Sequence, residues 1–415
     1  MQHRTFLAAL LVALMACSDD PPPPPPDDTN DRFEGNVFGN PGEPVPDARV
    51  LLGSEPTYRR FDDSRAPAVA VTGPAGYYSF TRVRKTAYQP YDLSIRDDSL
   101  GAPLLTRFLG VTPTGTGISL PGKRPHKAWS SQLLPTVLNL PANASVFYIA
   151  SGDVLDVRDD LVLEWNGGFQ DDVTIRAIVY ETDAATQLPR YLGYAVGKTR
   201  VTHGQPSAWQ ATFQPMPTSE TQITLSPWAN EPPPESVEAT IYVDAGEGSN
   251  ARAIGHLTSG SGRVTLPNFD GARYTLRAEQ RGSTGRSRLF WRFAPTDAEV
   301  RLDFPPAPKF LDAPAPNATI ERDATVRWQG DGLSRIRIDA GKAFRIETYT
   351  AAKEGPLLSP AVLDLLGLTI APNTPIALTV TSFLAHQNID DTVGAGFRDE
   401  TEMSSDSPPL PLVIH

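Results

Sequence analysis

Cysteine is almost absent from this chain: Cys17 is the only one in 415 residues. That excludes a disulfide framework and a thiolate metal site, both of which need several cysteines. Beyond the N-terminus no apolar run approaches the roughly 20 residues that a membrane-spanning helix takes. Positive charge is also in deficit. Lys and Arg number 37 against 48 Asp and Glu, a net charge of −11, which disfavours nonspecific binding to nucleic acid or to an anionic membrane surface. Proline (41) and glycine (32) are plentiful instead, and they break helices and favour short strands joined by turns. A chain of this length predicts two to four domains.

The N-terminus carries Arg4, an apolar run from Phe6 to Met15, and then Leu14-Met15-Ala16-Cys17. A run this short reads as the core of a signal peptide (residues 1–16). The Leu-x-Ala-Cys order resembles the lipobox of bacterial lipoproteins, although Met15 is bulkier than the residue usual at that place. The resemblance implies cleavage between Ala16 and Cys17, and acyl chains such as palmitate on Cys17 that anchor the protein to a membrane. Ser18, where an Asp would favour inner-membrane retention, directs the reading to the outer membrane. Residues 17–31 continue with Asp19-Asp20, six prolines from Pro21 to Pro26, and Asp27-Asp28. Such a segment cannot build a core, and six prolines in polyproline II make a stiff spacer of roughly 19 Å.

The body reads as all-β. Glu34-Gly35-Asn36-Val37, then Gly42-Glu43-Pro44-Val45-Pro46-Asp47-Ala48-Arg49-Val50, then Gly76-Tyr77-Tyr78-Ser79-Phe80 and Tyr91-Asp92-Leu93-Ser94-Ile95 give alternating strands around Gly/Pro turns. Over about residues 32–120 this series resembles the carboxypeptidase regulatory-like domain, a transthyretin-like β-sandwich, with an insertion from Glu55 to Pro67. A second sandwich is expected over residues 133–230, from Asp160–Trp165 and Val173–Tyr180 to a closing strand at Gln222-Ile223-Thr224-Leu225. The proline-rich Glu231–Glu235 then reads as the interior linker.

Past that linker the order recurs. Glu238–Val243, Arg263–Leu266, Tyr274–Ala278 and Trp291-Arg292-Phe293 parallel the first sandwich, and Asp323–Trp328 repeats Asp160–Trp165 at the same spacing. The expectation is a tandem array of about four β-sandwiches. The third covers 235–305 as a second transthyretin-like unit. The fourth, 306–415, and the second resemble immunoglobulin or fibronectin modules at fold level. Trp165 and Trp328, at equivalent places in the repeat, read as core anchors. One helix is expected, with Ser359 as N-cap, Pro360 first and Gly367 as terminator.

Chemistry-bearing motifs are sparse. No histidine among His3, His126, His203, His256, His386 and His415 begins H-E-x-x-H, and there is no G-x-S-x-G elbow. No catalytic residue, metal ligand or cofactor is assigned. Asp153, Asp156, Asp159 and Asp160 could gather calcium but lack a recognised loop spacing, and a solvated loop explains them as well. Lys127 and Trp129 lie in the one basic stretch, and together with Trp228 they are the candidate ligand contacts. The function expected is a lipid-anchored, non-enzymatic envelope module for protein or polysaccharide. Alternatives are a carbohydrate-binding accessory protein, a metallohydrolase, or a purely structural component.

Overall fold

The computed structural model describes residues 32–40, 43–53, 69–81, 91–111, 118–123, 128–151, 154–165, 168–184, 188–228, 232–246, 250–386, 389–390, 393 and 403–415. The protein is all-β: among the described residues its strands fall into six sheets, and four buried apolar clusters organise them. The strands around one cluster are called a unit below.

In the first unit, Arg32–Asn40 lies between Tyr77–Thr81, antiparallel, and Ile118–Lys123, parallel. The facing sheet runs Val69–Val71, Arg49–Gly53, Tyr91–Asp97, Leu104–Val111. Alternation sends Val50, Leu52, Leu93, Ile95 and Phe108 into the space between the sheets, against Phe33, Val37, Tyr78 and Phe80. Gly76 is required at its turn. Its φ is 71°, and a Cβ there would come within 2.4 Å of the Val37 carbonyl, the group next along the chain from an amide bonded to Gly76.

The third unit repeats this connectivity. Thr218–Ser226 lies between Ser261–Pro267, antiparallel, and Glu299–Asp303, parallel. The facing sheet runs Arg252–Leu257, Ser236–Asp244, Arg273–Gly282, Gly285–Phe293. This corrects the sequence reading at two places. Gln222–Leu225 do not close the second unit but form the first strand of the third, and residues 232–235 lead into its next strand, Ser236–Asp244. The expected limits 133–230 and 235–305 therefore misplace that strand. At two other expected limits, the strand Trp129–Leu138 begins before 133 and Ile118–Lys123 runs past 120.

The second unit packs Val154–Val157, Val162–Trp165, Trp129–Leu138 and Ser207–Thr212 against Gln214–Pro215, Pro189–Thr202, Gln170–Thr182 and Ser145–Ser151. Trp165, fully buried, donates its indole N–H to the Gly168 carbonyl at 2.7 Å. In the C-terminal unit Trp328 is equally buried and donates to Ser334 Oγ at 2.9 Å. Both tryptophans anchor their cores, because a large ring with one satisfied polar atom is inexpensive to bury.

The four units do not hang in a line. Arg345–Thr350 of the C-terminal unit pairs in parallel with Leu104–Val111 of the first, and Ser404–Asp406 bridges Thr374–Phe383 to Gly285–Phe293 of the third. One sheet of fourteen strands thus crosses the first, C-terminal and third units. The strands at the junctions show it: Leu104–Leu105-Thr106-Arg107-Phe108 are buried at every position, whereas Ser207–Thr212, in a sheet covered on one side, alternates. Leu51 and Leu105 point away from their own unit into the C-terminal cluster of Ile336, Ile346, Val362 and Leu366. The helix Pro360–Leu366, N-capped by Ser359 and closed by Gly367 at φ 71°, packs on that side. Arg96 and Arg49 donate to its terminal Leu366 carbonyl at 3.0 and 3.3 Å, meeting the negative end of the helix.

Candidate functional site

Of the residues singled out from sequence, Ala16, Cys17, Lys127 and Asp153 lie outside the described residues. Trp228 is buried and donates its indole N–H to the Pro305 carbonyl at 2.6 Å, so it is a core residue of the third unit and not a ligand platform. Asp159 pairs with Arg252 at 2.6 Å and Asp160 with Arg158 at 2.9 Å. Among the described residues no three His, Cys, Asp or Glu side chains converge on a metal position.

Trp129 is half-buried. It lies directly across the ladder from Trp165, as Phe310 lies across from Trp328. Its ring meets those of His203 and Phe169 edge-on, at 5.1 and 5.7 Å between centroids. His203 Nδ1 lies 3.1 Å from the Ser130 carbonyl, and Phe169 is 53% exposed. The equivalence with Phe310 explains Trp129 as part of the repeat's apolar pairing. Edge-on contacts leave only Phe169 of the three substantially open to solvent.

The concave site that the structure assembles is elsewhere, on the outer face of the third unit's large sheet. Side chains of alternate residues share a face, so Arg273, Arg277, Glu279 and Arg281 of one strand stand beside Arg286, Arg288, Phe290 and Arg292 of the next. Glu238, Thr240 and Tyr242 flank them on the other side. Glu238, Thr240, Arg277, Glu279, Arg281, Arg286 and Arg288 line an open cavity of about 350 Å³.

Its electrostatics are graded. Glu279 accepts hydrogen bonds from Arg281 and Arg286, with Arg288 Nε 3.8 Å away. Partial burial pushes the Glu279 carboxyl up, but the bonds and charge of Arg286 and Arg281 outweigh it and hold it below the usual carboxylate range. Arg288 also reaches Asp406 at 3.1 Å, and Asp406 accepts from Thr381 Oγ1 at 2.7 Å. Thr381 in turn accepts from the buried Arg335 at 3.2 Å. A polar row therefore crosses the junction between the third and C-terminal units. Arg277 is different: its guanidinium lies over the Tyr242 ring at 4.5 Å, and no carboxylate among the described residues pairs with it. Glu238 likewise makes no hydrogen bond or ion pair among them.

The sequence reading passed over these residues, although the signal was there. Residues 273–293 hold six arginines and one acidic residue in an otherwise acidic chain. What the sequence could not supply was the hairpin register that puts all six on one face and four of them, Arg277, Arg281, Arg286 and Arg288, around one hollow.

No protein-family model and no curated protein sequence matches the chain. Solved structures with some likeness include the major pilin subunit BcpA of Bacillus cereus. It is 9% identical over 66% of this chain and 97% of its own, with a TM-score of 0.14. The Bacillus anthracis TIE protein is 8% identical over 89% of this chain and 67% of its own, TM-score 0.19. The pilus adhesin SpaC of Lactobacillus rhamnosus GG is 11% identical over 76% and 43%, TM-score 0.14. At these scores the likeness bears on neither the fold nor the role of this chain.

Proposed function

We propose that this protein is an exported, lipid-anchored, non-enzymatic scaffold of the bacterial cell envelope, more specifically of the outer membrane. Its four β units close into one body that offers sheet faces and loops to a protein or polysaccharide partner. The observation that carries the reading is the closure itself: the C-terminal unit pairs with an edge strand of the first unit and of the third. Exposed strand edges are the usual route to strand addition by a partner or to aggregation. Consuming these two edges internally gives the assembly a stiffness that a string of beads lacks. Unit limits near residues 32–123, 129–215, 218–305 and 306–415 are part of this reading, supported by the four apolar clusters. The transthyretin-like resemblance of the first unit extends to the third through their shared connectivity.

Anchoring rests on the lone Cys17 behind a short apolar run and before an acidic proline spacer. More than one acyl chain is expected there, at about 0.8 kcal/mol per buried CH₂. Two measurements test the reading. Cys17→Ala should abolish labelled palmitate uptake and release or stall the protein; unchanged labelling would remove the anchor. Small-angle scattering of the mature chain should give a radius of gyration near that of a compact body of this size, about 21 Å. A value roughly twice that would mean an open string and would defeat the closed scaffold.

A further inference from the structure

The arginine-lined hollow on the third unit carries an inference that rests on the scaffold reading and gives it a ligand class. Within the lining, Glu279 pairs with Arg281 and with Arg286, whose Nε is itself left without a partner, and Asp406 at the rim pairs with Arg288. These groups hold one another in place and fix the shape of the wall. Two groups of opposite sign keep unused hydrogen-bonding capacity, Arg277 and Glu238, the second lying also within the field of Arg281. The Arg277 guanidinium rests on Tyr242, which orients it without neutralising it, and its Nε finds no partner among the described residues. Glu238, on the adjacent strand, lies directly across from Glu279 and one diagonal step from Arg277. Thr240, directly across from Arg277, adds a hydroxyl.

A ligand that satisfies this wall needs a carboxylate-type acceptor for the free guanidinium and, within one ring's reach, hydroxyl donors for the free carboxylate. A dense polyanion meets the first need but is repelled by Glu238 and Glu279, and by a chain of net charge −11. A neutral sugar meets only the second. An extended peptide would want a free strand edge, and beside the hollow the edge of Gly285–Phe293 is paired over Arg286–Arg288 with Ser404–Asp406. A sugar acid meets both, its carboxylate receiving the planar Arg fork and its vicinal hydroxyls donating to Glu238. The cavity, about 350 Å³, falls at the small end of ligand sites and suits one or two sugar rings, with the open sheet face leaving the chain free to continue.

We propose that this face binds a carboxylate-bearing polysaccharide, with Arg277 taking the sugar carboxylate and Glu238 accepting from ring hydroxyls. The test is calorimetric titration of the full mature chain with tetragalacturonate, and with maltotetraose and inorganic polyphosphate as comparators. Tetragalacturonate should bind and weaken as salt is raised, while the neutral sugar should not bind. Arg277→Gln should weaken binding tenfold or more with an unchanged melting temperature. Arg277→Lys, which keeps the charge but not the fork, should fall between. Glu238→Gln should weaken it several-fold, whereas pure charge attraction would make it tighter. The proposal is overturned if tetragalacturonate does not bind, if maltotetraose or polyphosphate binds as well, or if a well-folded Arg277→Gln protein binds normally. None of those results touches palmitate labelling or the scattering radius, so the scaffold reading stands or falls separately.

Discussion

Leu51 and Leu52 are neighbours in one strand and are both fully buried, yet they belong to different cores. Leu52 packs inside the first unit, and Leu51 packs through the opposite face into the C-terminal unit. Replacing each by alanine separates a closed assembly from four independent units. Leu→Ala removes about three methylene equivalents, worth about 2.4 kcal/mol of transfer free energy at about 0.8 each. The cavity left behind brings the usual total to about 3–5 kcal/mol. Leu51→Ala should therefore cost about as much as Leu52→Ala, although a Leu on the outer face of an isolated sandwich would cost under about 0.5 kcal/mol. Amide hydrogen exchange read by mass spectrometry locates the loss. Leu51→Ala should raise exchange across Arg345–Leu366, almost 300 residues away in sequence, and Leu52→Ala should act first within 32–123. If Leu51→Ala left the C-terminal unit's protection untouched, the shared core between the two ends of the chain would be wrong.

Gly367→Ala should destabilise by about 1 kcal/mol or more. It places a Cβ at φ 71° and within 2.8 Å of the Arg49 guanidinium, and a melting curve reads the loss directly. Glu347, almost fully buried, accepts from Arg337 at 2.9 Å and Tyr349 at 2.9 Å and lies 4.0 Å from the buried Arg335. Glu347→Ala strands a buried guanidinium and should cost about 3–5 kcal/mol in urea unfolding. Because the Glu279 carboxyl is held below its ordinary value of 4.5, its stabilising share is complete above pH 4.5 and is lost as pH falls through the lower folded value. The stability–pH curve of Glu279→Gln should therefore be flatter than the parent's on the acid side, and an unchanged acid limb would count against that network.

Several features of the fold were legible in the residues themselves. Alternation predicted the strands, while the expected shortness fails at Gln170–Thr182 and Pro189–Thr202, which run 13 and 14 residues. The repeated Asp-x-x-x-x-Trp strand predicted two equivalent cores, and Ser359, Pro360 and Gly367 predicted the helix Pro360–Leu366. These are local signals, since a cap, a turn or a two-residue period is decided by a few neighbouring side chains.

Other features depended on contacts remote in sequence. Thr218–Ser226 alternates like any strand, so nothing within it told which unit it would join. The three prolines after it looked like a linker and are instead a loop inside the third unit. Trp228 looked like a free aromatic until Pro305 and the third core enclosed it. The arginines of residues 273–293 were plain in composition, but only the hairpin register gathers all six on one face and leaves Arg277 without a carboxylate. The closure of the chain is the clearest case. The sequence by itself determined an all-β chain of repeated units behind a lone Cys17. Tertiary structure decided that the last unit lies between the first and the third, because an unsatisfied strand edge selects its partner by register and shape, and neither is written in either strand alone.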